Sequence, residues 1–204
     1  MQIENTEGQW GIVQQTLHWI VVLAVAVQLI IGLNLWRMTP NDPQWESFLP
    51  IHTGIGLTIL ALMVFRLYWR RKHPVPKLPD TLTPAEKALA HATHYGLYGL
   101  LIAMPIVGYI LVSSHGQPVP FFNAQLPAVI GENETLQYSL RGMHILGAMT
   151  LVLLLAMHVF AALRHAWTLR DGVMERMVPF ANREGRELSG SEERGKQLQS
   201  GRDA

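Results

Sequence analysis

The chain has no cysteine, and that single absence removes disulfides, zinc-thiolate sites, iron-sulfur clusters and covalently attached c-type haem together. Any metal must be held by other side chains, for which nine histidines and nine methionines are at hand. Charge is scarce as well: 15% of the 204 residues are charged, against 49% hydrophobic. That balance is too apolar for an ordinary soluble domain and makes a membrane protein the first reading. A formal net charge of +1 leaves no electrostatic footprint for a nucleic-acid partner. There is no internal repeat, no glycine-rich phosphate loop and no paired-carboxylate site, and the apolar runs hold neither Asp nor Glu. Hydrolytic chemistry and a carboxylate-lined ion pathway therefore have no foothold.

What the chain does have is four apolar runs, each near the ~20 residues that carry a helix across the hydrocarbon of a bilayer. The first, residues 16–35, carries no charge. It is expected to be retained, because no Lys or Arg precedes it and Trp36 and Arg37 follow where a signal peptide would show a small-residue cleavage site. The second, residues 51–68, is apolar apart from His52 and Arg66 and stops at Arg70, Arg71 and Lys72. The third, residues 91–112, contains Pro105, where a kink is expected. The fourth, residues 142–163, ends at Arg164, His165 and Trp167, a charged and aromatic boundary of the kind found at the interface.

The expected fold class is all-α, an integral membrane four-helix bundle over residues 1–180, followed by a polar tail, 181–204, that reads as disordered. Basic residues orient it. The loop between the second and third spans holds Arg70, Arg71, Lys72, Lys77 and Lys87, whereas the first and third loops hold only Arg37 and Arg141. The second loop, and by parity both termini, are expected on the cytoplasmic side.

Ionisable residues inside spans are costly and point to function, and here they are almost all histidine. His18 lies toward the inner end of the first span and His52 at the outer start of the second. His144 opens the fourth span on the outer side and His158 lies near its inner end. These last two are fourteen residues apart, so they are separated by about 21 Å along the helix but rotated by only about 40°. Six-coordinate b-type haem takes two axial imidazoles from opposite sides. Two histidines at each depth predict two haem b groups, His18 with His158 on the inner side and His52 with His144 on the outer, no helix supplying both ligands of one iron.

Arg66, fourteen residues after His52, is placed to meet inner-haem propionates or, equally, to snorkel to the interface. Arg141, one turn before His144, suits outer-haem propionates or the attraction of an anion, and otherwise is an ordinary helix-end charge. His91 and His94 open the third span and offer an alternative inner ligand, although no opposing histidine is left over; a hydrogen-bonding or quinone-site role suits His94 better. His165 lies at the interface, where a propionate or a quinone oxygen can meet it. His73 and His115 read as loop residues. Gly54, Gly56, Gly142 and Gly147 leave room for a flat macrocycle or permit close helix packing.

On the segments Leu17-His18-Trp19, Ile51-His52-Thr53-Gly54, Val64-Phe65-Arg66-Leu67, His91-Ala92-Thr93-His94, Gly108-Tyr109, Met143-His144, Met157-His158 and Ala162-Leu163-Arg164-His165, the chain resembles the bacterial cytochrome b561 family. These are four-helix di-haem membrane cytochromes related to the cytochrome b subunits of hydrogenases and formate dehydrogenases. The resemblance runs from Trp10 to Met177. It implies a multi-pass oxidoreductase of the bacterial inner membrane that exchanges electrons with ubiquinone, and an activity that takes an electron from periplasmic superoxide. The outer loop, residues 113–140, departs from that picture: it is mildly acidic at Glu132 and Glu134, and only Arg37 and Arg141 can attract an anion. An electron-carrying membrane anchor for a partner dehydrogenase, or for a periplasmic isoprenoid-binding protein, is the alternative. A haem-free transporter is disfavoured, because the histidines fall at two depths instead of one midplane cluster.

Overall fold

A computed structural model describes residues 3–39, 42–79 and 82–178. The tail expected to be disordered lies outside these described residues. Four helices account for most of the chain: α1 (Ile12–Arg37), α2 (Trp45–Lys72), α3 (Pro84–Ser113) and α4 (Glu134–Arg164). All four are long and apolar enough to cross a membrane. Each overruns the apolar run from which it was expected, because a helix continues into the headgroup region after its hydrophobic residues stop.

The helix starts have local causes. Thr83 caps α3 by accepting from the Glu86 backbone N–H, while the Glu86 carboxylate accepts from the Thr83 N–H at 2.9 Å, and Pro84 takes the first helical position. Asn133 caps α4 by accepting from Leu136 N–H at 3.0 Å. Both internal prolines, Pro50 in α2 and Pro105 in α3, sit within continuous helix.

Consecutive helices pack in order, α1 on α2, α2 on α3 and α3 on α4, but no Cα of α1 comes within 8 Å of a Cα of α4. The bundle is therefore an open ring with a seam between its first and last members. Its apolar core is a middle layer of Val21, Val25, Ile59, Met63, Leu97, Leu101 and Leu151, one or two residues from each helix. Leu146, Met149, Leu153 and Phe160 of α4 are each at least 60% exposed. They repeat at helical spacing on one face, a surface suited to lipid and not to water.

The connection between α3 and α4 holds something the apolar runs do not foretell, an antiparallel hairpin of β1 (Val119–Phe121) and β2 (Ala124–Leu126). It is tied down: the Phe122 N–H donates to Pro50 O at 3.1 Å, Thr53 Oγ1 donates to Pro120 O, and Tyr109 OH donates to Pro127 O at 2.6 Å. Beyond α4 one π-type turn, His165–Leu169, leads into a short segment that folds back on α1.

Candidate functional site

The open ring brings the span histidines together in two cross-helix pairs. The ring centres of His18 on α1 and His158 on α4 are 6.2 Å apart with their planes at 70°. Those of His52 on α2 and His144 on α4 are 6.2 Å apart at 69°. The first pair spans the seam, and the apolar middle layer lies between the two levels.

A hydrogen bond directly between two imidazoles would draw their centres to about 5 Å. A metal–nitrogen bond of about 2.0 Å, with about 1.1 Å more to the ring centre, sets two axial imidazoles about 6.2 Å apart. Both pairs stand at the second spacing. The buried Nδ1 atoms of His52 and His144 have no hydrogen-bond partner among the described residues, so neither of these rings is tied to the protein through that nitrogen. The His52–His144 level is also kept narrow for side chains other than the imidazoles: a Cβ on Gly32 would lie 3.1 Å from His52 Cε1, and one on Gly108 would lie 3.2 Å from His144 Cε1. The residues present thus fit a flat, bis-imidazole metal cofactor at each level.

Around the His18–His158 pair the chemistry is cationic. Arg66 is buried, and its Nη2 lies 3.2 Å from His18 Nδ1. A guanidinium only donates, so here His18 Nδ1 accepts. Arg66 and Arg70 both pack on Tyr98, at 5.4 and 5.6 Å from the ring centre, and Arg70 also covers Trp10 at 5.5 Å. Among the described residues neither arginine is within 4.0 Å of a carboxylate. Two cations without an acid suit a ligand bearing carboxylates.

The remaining candidates separate. His94 joins the His18–His158 group, its ring 5.3 Å from that of His158 at 70°. His91 is exposed and stacks on Tyr95, with ring centres 6.3 Å apart. His165 is bound to Asp171, Nδ1 to Oδ2 at 2.7 Å. Arg141 is exposed one turn before His144 and has no ion-pair partner among the described residues. His73 follows the end of α2, stacked on Trp69 at 4.2 Å, and His115 follows α3. Of the glycines singled out beside His52 and His144, Gly54 faces Phe122, Gly56 faces Gln28 and Gly147 faces Met104, while Gly142 faces nothing within 4 Å. Three of them thus serve packing. Gln28, whose Nε2 donates to His52 O at 3.0 Å and lies 3.3 Å from His52 Nε2, carried no signal in the sequence. Gly32 did: it stands fourteen residues after His18, and Gly108 fourteen after His94.

A family model described as prokaryotic cytochrome b561 matches residues 9–180. The chain belongs to the prokaryotic cytochrome b561 family. Among its relatives, "Probable superoxide oxidase CybB" of Yersinia pestis is 30% identical over 172 residues, covering 84% of this chain and 96% of that protein. "Cytochrome b561 homolog 2" of Escherichia coli (strain K12) is 27% identical over 179 residues, covering 87% and 95%. "Cytochrome b562" of Cereibacter sphaeroides is 28% identical over 171 residues, covering 81% and 92%. Membership of the cytochrome b561 family makes the chain a membrane electron-transfer protein and implies that it binds haem b.

Proposed function

We propose that this cytochrome b561 carries two haem b groups, held by His18 with His158 and by His52 with His144, and passes electrons from a donor at the outer face to ubiquinone. The observation that carries this reading is the pair of matched imidazole couples, 6.2 Å apart at both levels. Haem b supplies one-electron iron chemistry. The protein's own part is placement. α4 presents His144 and His158 on nearly one face, while α1 and α2, running in opposite directions, bring His18 and His52 to the matching depths.

An imidazole that coordinates through Nε2 keeps its proton on Nδ1 and no longer accepts there. Arg66 would then be released from His18 to pair, with Arg70, with propionate carboxylates at the inner end. Arg141 has the matching position one turn before His144 at the outer level. Positive-inside orientation puts the Arg70–Lys72 cluster and both termini in the cytoplasm of a bacterial inner membrane, and the hairpin side in the periplasm.

With superoxide as donor, two superoxide ions lose one electron each to become dioxygen, and one ubiquinone takes both electrons and two protons to become ubiquinol. The name of the Yersinia pestis relative supports this donor. The loop on the hairpin side carries Glu132, and α4 carries Glu134 and, about two turns on, Arg141, a mixed set of charges that favours a protein donor, and with it the reading of the chain as an electron-carrying anchor. Haem quantitation with a reduced-minus-oxidised spectrum, followed by superoxide-driven reduction of a soluble ubiquinone analogue, tests the proposal. Two b haems per chain and quinone reduction dependent on superoxide are expected. Two haems without that activity would leave the anchor reading, and no haem would end both.

A further inference from the structure

We propose that residues 165–178 are a strap that closes the inner end of the α1–α4 seam and holds His18 opposite His158, with Trp19, Gln15 and the His165–Asp171 pair as its positioning residues. The two helices that carry the inner pair, α1 and α4, have no Cα atoms within 8 Å of each other. On the inner side the segment that follows α4 joins them by hydrogen bonds to α1. Its π-type turn is closed by the Arg170 N–H donating to His165 O at 2.8 Å, with Arg170 at φ 49° and Gly172 at φ 75°. Asp171 fixes that reversal from both oxygens: Oδ2 lies 2.7 Å from His165 Nδ1, and Oδ1 accepts from Val173 N–H at 3.3 Å. Both side chains of the His165–Asp171 pair are less than 15% exposed.

The returning chain then presents two backbone carbonyls to α1. Arg176 O accepts from Gln15 Nε2 at 2.9 Å, and Met177 O accepts from Trp19 Nε1 at 3.0 Å. Gln15 and Trp19 are one turn apart and bracket His18, whose ring lies 5.4 Å from that of Trp19. A third tie, Arg176 Nη1 to Lys77 O at 2.9 Å, fastens the strap to the α2–α3 connection. Each residue of rotation about a helix axis is about 100°, so a small turn of α1 would carry the His18 imidazole away from its partner. The strap's two bonds to the same turn of α1 oppose that rotation. Gln15 is 4% exposed, and a buried amide stripped of its acceptor costs more than the bond was worth. Distance in sequence explains why no local pattern announces this: Trp19 and Met177 are 158 residues apart.

The inference rests on the two-haem reading, and its test is made on the full-length, haem-loaded protein in detergent. The ferric protein is mixed with excess apomyoglobin and the loss of each haem is followed spectrally, with carbon monoxide binding to the reduced protein as a second readout. Trp19→Phe keeps an aromatic ring of smaller size and deletes the donor; Asp171→Asn weakens the hold on His165. Either change is expected to speed the loss of one haem about tenfold, the scale of one buried hydrogen bond. The other haem should stay within about twofold. The labile haem should be the one that His158→Ala abolishes, and it should acquire carbon monoxide reactivity. Asp171→Glu should restore retention. If Trp19→Phe does not accumulate, Asp171→Asn and Gln15→Leu carry the same test. Equal loosening of both haems, loosening of the His52–His144 haem, or no change in any variant would overturn the strap while leaving the two-haem reading in place. A wild-type protein without haem would overturn both.

Discussion

Arg66 Nη2 lies 3.2 Å from His18 Nδ1, a buried guanidinium against an imidazole that faces His158 across the seam. A fixed positive charge beside a redox centre favours its reduced form. Arg66→Gln is therefore expected to lower the midpoint potential of one haem and leave the other unchanged. The shift should be on the order of 60 mV, a tenfold change for a one-electron couple. A potentiometric titration followed in the visible spectrum measures it.

The glycines make a sharper geometric prediction. Ala at position 32 or 108 would put a methyl 3.1 or 3.2 Å from a carbon of His52 or His144, closer than relaxed carbon–carbon contact. Gly32→Ala and Gly108→Ala should each perturb the outer haem alone, seen as a shifted or diminished α-band. Gly99→Ala, with nothing within 4 Å of the new carbon, should alter neither haem, and its helix gains up to about 1 kcal/mol in propensity.

Phe122 holds the hairpin turn at φ 51°, a conformation that costs a non-glycine residue roughly 1–2 kcal/mol. The Phe122 ring lies where a Cβ on Gly54 would approach to 2.8 Å. Gly54→Ala is therefore expected to lift the hairpin from α2. Amide hydrogen exchange across residues 119–126 should rise about tenfold or more while the helices keep their protection.

At the inner end of α3 the reciprocal Thr83–Glu86 box predicts a stability effect without a redox effect. Thr83→Ala should cost about 1 kcal/mol, read as a fall of a few degrees in apparent melting temperature. Glu86 also meets Arg164 at 3.0 Å, but their side chains are 34% and 42% exposed, so that ion pair adds little. The potentials of both haems should be unchanged.

How far the sequence reveals this molecule depends on what each signal measures. Hydropathy finds the spans because hydrocarbon thickness sets their length, but it is blind to where a helix ends in the headgroups. Thus α4 starts at Glu134 and not near residue 142. For α3 the true start was written locally in Thr83-Pro84-Ala85-Glu86, a capping signal that lies outside any apolar run. Fourteen-residue spacing proved informative well beyond His144 and His158. It also relates His18 to Gly32, His52 to Arg66 and His94 to Gly108, so every helix presents a histidine, an arginine or a glycine at each level. The hairpin was hidden because its strands are three residues long and its turn, Phe122-Asn123, lacks the glycine that marks such turns. The roles of Gln28 and the strap depend on tertiary contacts between distant residues, which no local pattern records.

The pairing of the histidines is tested most directly by haem quantitation in four single variants, His18→Ala, His158→Ala, His52→Ala and His144→Ala. The first two should lose one and the same haem, identified by its α-band and potential, and the last two should lose the other, each retaining about one haem per chain. A wild type with a single haem, or His18→Ala and His158→Ala removing different haems, would contradict the account.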